Sequence, residues 1–111
     1  MPATTHSLHC EVEQSGDQTT ERVARVICHG ELVNQTANQL KEVVKPLIAD
    51  GGKIVLDLKG VTFVDSMGLG SLVGLKASAI GKGYCTLELE HLMPRVQELL
   101  RLTKVADLFK S

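Results

Sequence analysis

The chain is predicted to fold as an α/β domain with the element order β-β-α-β-α-β-α. Two short extended stretches open it, and after them segments with apolar residues at helical spacing alternate with strand-like runs. Apolar residues make up 43% of the 111 positions, yet only Phe63, Tyr84 and Phe109 are aromatic, so Val, Leu, Ile and Ala must fill the core. Such side chains suit a sheet covered by helices. The length is that of one core, so a single domain over 1–111 is expected, with ordered structure from about 8 to 110.

Leu8 to Val12 and Val23 to Cys28 read as a hairpin around the polar Gln14–Thr20 segment. The second stretch is almost wholly apolar, which predicts a strand covered on both faces and ended by Gly30. From Thr36, Ala37, Leu40, Val44, Leu47 and Ile48 recur at helical spacing opposite Gln39, Lys41, Glu42 and Lys45. Asn34 and Thr36 are both suitable N-caps, Gly51-Gly52 supplies an exit, and Pro46 should bend the helix. Lys53 to Leu58 is the clearest strand and is expected to be central, closed by Lys59-Gly60, with Val61 to Val64 as a connection.

A second helix is expected from Ser66 to about Ile80, burying Leu69, Leu72, Val73, Ala77 and Ile80, and ending at Gly81-Lys82-Gly83. Tyr84 to Glu90 alternates in part, as a strand nearer the sheet edge does. Pro94 opens a third helix with Val96, Leu99 and Leu100 buried, and Val105, Leu108 and Phe109 mark a last short segment. Strands joined by crossover helices should run parallel. Val55, Leu56, Leu69, Val73, Leu99 and Leu100 are expected in one core.

Twelve basic against thirteen acidic residues leave a formal charge of -1, far from the basic excess of a protein that tracks phosphate backbones. Nucleic acid is not an expected partner. No apolar run approaches the roughly 20 residues that span a bilayer, and the polar start is unlike a signal peptide, so a cytoplasmic protein without membrane insertion is expected. Cys10, Cys28 and Cys85 are odd in number, far apart and without C-x-x-C spacing, which argues against a disulfide framework or zinc site. They read as small apolar residues of strands. His6, His9, His29 and His91 show no metal-ligand spacing, and no metal or cofactor is expected.

The densest unusual segment is Phe63-Val64-Asp65-Ser66-Met67-Gly68-Leu69-Gly70-Ser71, where two glycines occupy the opening turn of a helix. Glycines there allow close backbone approach, and the first-turn amides with the helix dipole favour an anion. Three readings compete. Ser66 could be an ordinary N-cap, bonded to the amide of Gly68 or Leu69, with the glycines serving tight packing. Gly68-Leu69-Gly70, with Glu88 about 20 residues on, could be a dinucleotide fingerprint; however, Gly74 falls one position late and no second mononucleotide half follows. Ser66 could instead be phosphorylated, placing close to two negative charges beside Asp65 and repelling a docked partner without unfolding the domain.

At these residues the sequence resembles a family. Gly30-Glu31-Leu32, the run Leu56-Asp57-Leu58-Lys59-Gly60-Val61-Thr62-Phe63-Val64, and above all Asp65-Ser66-Met67-Gly68-Leu69-Gly70 are similar to a STAS domain of the bacterial anti-sigma factor antagonist class. Pro94-Arg95-Val96 through Leu100, Leu102-Thr103 and Leu108-Phe109 fit that family's closing helices, so the resemblance covers about Leu8 to Lys110. It implies a four-stranded mixed sheet with helices packed against it, and a role in partner switching. The domain would bind an anti-sigma factor that is also a serine kinase and so release a sigma factor. Phosphorylation of Ser66 would end binding and a phosphatase would restore it. The ATP would belong to the kinase, and this chain would have no catalytic residue.

The expected partner face is Asn34 with Asp65, Ser66, Met67, Gly68, Leu69 and Gly70. The alternative is a STAS subunit of a lipid-transport complex or a stress-sensing complex, binding a non-kinase partner through the same face. Two positions depart from the pattern: Val33 stands where an aspartate is common, and Met67 where a small residue is common.

Overall fold

The structure is a computed structural model that describes residues 7–16 and 22–104. Its elements are β1 (Leu8–Ser15), β2 (Val23–Leu32), α1 (Ala37–Asp50), β3 (Gly52–Val64), α2 (Ser66–Lys82), β4 (Cys85–Glu90) and α3 (Pro94–Leu102). The expected final segment with Val105, Leu108 and Phe109 lies outside the described residues. The four strands form one sheet in the order β1-β2-β3-β4. β1 pairs with β2 antiparallel, and β2, β3 and β4 run parallel. The α/β class, the element order and the mixed sheet are as expected, with β3 inside the sheet and β4 at its edge.

Topology explains where the helices lie. Parallel strands added stepwise in one direction, each through a right-handed crossover, put both crossover helices on the same face of the sheet. Ala24, Val26 and Cys28 of β2, Ile54, Leu56 and Leu58 of β3, and Leu87 of β4 accordingly meet Leu40, Val44, Leu47 and Ile48 of α1 and Leu72, Leu75 and Ala79 of α2 in one apolar cluster. Val96 and Leu100 of α3 join it. Among the described residues no helix is long and apolar enough to cross a membrane.

The other sheet face carries polar side chains. Arg25 Nη1 lies 3.4 Å from Asp57 Oδ2 and 2.8 Å from Glu90 Oε1, and His91 Nδ1 lies 3.1 Å from Asp57 Oδ1. This corrects two expectations. β2 is not sealed on both faces: Ala24, Val26 and Cys28 are buried, whereas Val23, Arg25 and Ile27 are half-buried. Val55 is buried, but it points away from Leu56 because neighbours on a strand face opposite sides, and it stands outside the main cluster.

β3 differs most from its predicted bounds, since it continues through Lys59-Gly60 to Val64. It does so by two irregularities in its register with β2, one between Ile27 and His29 and one between Gly30 and Glu31, at each of which β3 holds one more residue than its partner. Each extra residue reverses the in-out alternation, which is why Ile54, Leu56 and Leu58 are buried, and then Val61 and Val64. Gly30 does not end β2, which runs on to Leu32. Gly30 has φ +116, and a Cβ there would lie 2.2 Å from the carbonyl oxygen of Ser7.

α1 continues through Pro46 to Asp50. α2 is turned relative to the prediction: Gly68, Leu69, Ser71, Leu72, Leu75 and Ala79 are buried, Val73 is half-buried, and Ala77 and Ile80 are exposed.

Candidate functional site

The C-terminal end of β3 delivers Asp65 to the mouth of α2, and it is Asp65, not Ser66, that caps the helix. Its backbone is extended, and its Oδ1 accepts a 2.7 Å hydrogen bond from the Gly68 amide. Ser66 is the first helical residue and is exposed. Both residue types are good caps. What selects Asp65 is the path of the chain: its amide donates to the Leu32 carbonyl at 3.2 Å, which ties the residue before the helix to the end of β2.

The same carbonyl explains Gly68. A Cβ at that position would lie 2.0 Å from the Leu32 oxygen, so the first turn of α2 rests directly on the end of β2. Gly70 is different: nothing lies within 4 Å of the place its Cβ would take. Close backbone approach therefore accounts for one of the two glycines. It also counts against a dinucleotide site, because the space beside Gly68 that a pyrophosphate would need is filled by Leu32. Glu88, the prospective ribose acid, pairs with Lys53 Nζ at 3.6 Å on the strands.

The β2–α1 turn completes the junction. Asp65 Oδ2 accepts from the Asn34 amide at 3.1 Å, so one carboxylate holds two segments 31 residues apart. Thr36 stands at the N-cap of α1, but its hydroxyl makes no capping bond. Instead its Oγ1 accepts from the Val33 amide at 2.9 Å and donates to the Glu31 carbonyl at 2.7 Å, closing the turn from within. Val33 is 2% exposed. Its side chain is buried, so the departure places an apolar residue beneath the turn and not on the exposed rim.

The expected residues thus fall into two sets. Asn34, Ser66, Met67 and Gly70 form the exposed rim, with Asp65 half-buried between them, while Gly68 and Leu69 are buried and support it from below. Met67 is 57% exposed. A largely apolar hollow of about 520 Å³ starts at Val64, one residue before Asp65, and is lined also by Phe63, Pro94, Val96, Leu99 and Leu102, with Arg95 and Glu98. The hollow is not legible in the sequence, where Phe63 falls in the expected connection Val61 to Val64; the second irregularity in β3 leaves Phe63 41% exposed next to Val64. Among the described residues no group of three or more His, Cys, Asp or Glu is placed to hold a metal.

Comparison with known proteins finds relatives in both sequence and fold. A family model described as "Mlab, STAS domain" matches residues 15–110. The anti-sigma-B factor antagonist of Bacillus subtilis (strain 168) is 29% identical over 102 residues, covering 92% of this chain and 88% of that protein. Its namesake in Staphylococcus aureus (strain NCTC 8325 / PS 47) is 32% identical over 91 residues, covering 81% and 83%. The crystal structure of an anti-sigma factor antagonist from Mycobacterium paratuberculosis matches with a TM-score of 0.74 and 26% identity, covering 93% of this chain and 83% of that one. The unphosphorylated form of the anti-sigma factor antagonist SpoIIAA shares the fold, with a TM-score of 0.69 at 18% identity over 90% of this chain and 84% of that one.

Proposed function

Because the chain belongs to the STAS domain family, as a protein of its bacterial anti-sigma factor antagonist group, we propose that it is a non-catalytic switch that binds an anti-sigma factor and is turned off by phosphorylation of Ser66. The observation that carries this reading is the division of labour at the mouth of α2. Asp65 makes the contacts that the fold needs, which leaves the exposed Ser66 hydroxyl without a capping duty.

Phosphate at Ser66 would sit beside first-turn amides and the positive end of the α2 dipole, so the domain would tolerate it. On the rim it would add nearly two negative charges next to Asp65. A partner docked over Asn34, Ser66, Met67 and Gly70 would then meet concentrated like charge and lose its polar contacts. The partner in this reading is an anti-sigma factor with serine kinase activity. The kinase supplies ATP, a phosphatase resets the serine, and a sigma factor is freed while this domain holds its antagonist.

Capture of the protein with its partners from its native cell, with intact-mass analysis of the bound and unbound fractions, tests the proposal. The expected result is a co-purifying kinase on the unmodified protein and a single added phosphate, lost in Ser66→Ala, on the unbound protein. Capture of transport or stress-complex subunits alone, with Ser66 unmodified throughout, would replace this reading with the alternative.

A further inference from the structure

Cys10 and Cys28 lie directly opposite each other on the antiparallel pair β1 and β2. Their sulfurs are 3.9 Å apart, and both thiols are free. Directly opposed residues on antiparallel strands have Cα atoms about 4.5–5.5 Å apart, which falls within the span a disulfide accepts. Rotation of the side chains toward each other is then enough to bring the sulfurs into bonding range. The third cysteine, Cys85, is buried at the start of β4, on the opposite edge of the sheet.

The two thiols differ in access. Cys28 is 1% exposed. Cys10 is half-buried and opens into a surface hollow of about 330 Å³ between β1 and α1, lined also by Leu8, His9, Gln39, Glu42 and Val43. A small oxidant therefore reaches Cys10 first. The hydrogen bond with Cys28 lowers the Cys10 thiol below its ordinary range against the opposing effect of burial. The same bond, together with burial, raises Cys28. A half-buried, more acidic thiol that opens to a surface hollow, facing a fully buried one, has the arrangement of an attacking and a resolving cysteine.

We propose that Cys10 and Cys28 form a peroxide-responsive pair that closes into a cross-strand disulfide and locks the edge strand β1 onto β2. In the first step the Cys10 thiolate attacks a peroxide oxygen. The O–O bond breaks, Cys10 becomes a sulfenic acid, and the leaving hydroxide takes a proton to become water. In the second step the Cys28 sulfur attacks the Cys10 sulfur. The S–S bond forms, the S–O bond breaks, and the hydroxide leaves as water with the Cys28 proton. Overall two thiols are oxidised by two electrons and one peroxide is reduced to two waters.

The bridge would add a covalent link to two strands already paired from Leu8↔Gly30 to Ser15↔Val23. β2 leads directly into the Leu32–Asn34 turn at the rim, so the bridge would also stiffen the strand behind it.

The test is hydrogen peroxide treatment of the folded, fully reduced protein at neutral pH, followed by intact-mass and non-reducing peptide analysis. The expected product is a monomer about 2 Da lighter, with Cys10 linked to Cys28, reversed by dithiothreitol. Cys85→Ser should give the same product, whereas Cys10→Ser and Cys28→Ser should not. Peptide mapping of the unsubstituted protein decides the matter even if a variant folds poorly. A link through Cys85, a disulfide between two chains, stable addition of oxygen to Cys10 without a bridge, or reaction seen only in denaturant would each overturn the proposal.

Discussion

At residue scale the junction depends on how Asp65 and Ser66 share their tasks. Asp65 accepts from the amides of both Gly68 and Asn34, so Asp65→Ala should cost about 1–2 kcal/mol, the usual range for a lost N-cap. Ser66→Ala removes an exposed hydroxyl that caps nothing and should stay within about 0.5 kcal/mol of the parent protein. Urea midpoints of the two variants check the contrast; equal losses would return the cap to Ser66. The glycines make a second pair. A Cβ at Gly68 collides with the Leu32 carbonyl, whereas one at Gly70 meets nothing. Gly68→Ala should therefore lose roughly 1–3 kcal/mol through forced displacement, and Gly70→Ala should gain up to about 1 kcal/mol through helix propensity, as read from melting temperatures.

Asp57 gives the fold a pH dependence. Burial alone would raise its carboxyl, but the Lys59 amide, His91 and Arg25 more than reverse this and hold it below its ordinary value of 3.8. A carboxyl depressed in the folded state contributes stability above its unfolded value and loses that contribution as the pH falls through the folded value. Asp57→Asn should accordingly be less stable than the parent at pH 7, with the difference shrinking below about pH 4. Urea titrations at pH 7 and pH 3 measure it.

At the scale of elements, β1 to β4 and α1 to α3 were legible because each has a distinct apolar period or a turn signal at its ends. The rotation of α2 was not. Its sequence holds glycine, alanine or serine on every side and only Lys76 and Lys82 as charges, so several stripes fit equally well. Contact of Gly68 with Leu32 selects the one that buries Leu72, Leu75 and Ala79. The irregularities that carry β3 to Val64 were equally hidden, since an extra residue in a strand is visible only against its partner. Leu72 is fully buried and Ile80 is 57% exposed. Leu72→Ala should thus cost about 2–5 kcal/mol, and Ile80→Ala should cost within about 0.5 kcal/mol, although both were expected on the same buried stripe.

For the whole molecule, stepwise right-handed crossovers put both helices on one sheet face, and the carboxyl ends of β2 and β3 meet at the mouth of α2. The motif from Asp65 to Gly70 could be read as a docking site because its glycines are poor helix formers at a helix start. Its connection to Asn34 could not, because nothing local links positions 31 residues apart. The proposed switch requires Ser66 to be a place where charge can be added without loss of fold, as its position at the positive end of the α2 dipole would allow. The most direct measurement is the affinity of the captured anti-sigma factor for the parent protein, Ser66→Ala and Ser66→Asp by calorimetry, beside the melting temperature of each. Ser66→Ala should bind as the parent does; Ser66→Asp should bind at least tenfold more weakly, a change of about 1.4 kcal/mol, with its melting temperature unchanged or raised. Undiminished binding by Ser66→Asp, or a loss that follows unfolding, would contradict electrostatic exclusion at this site.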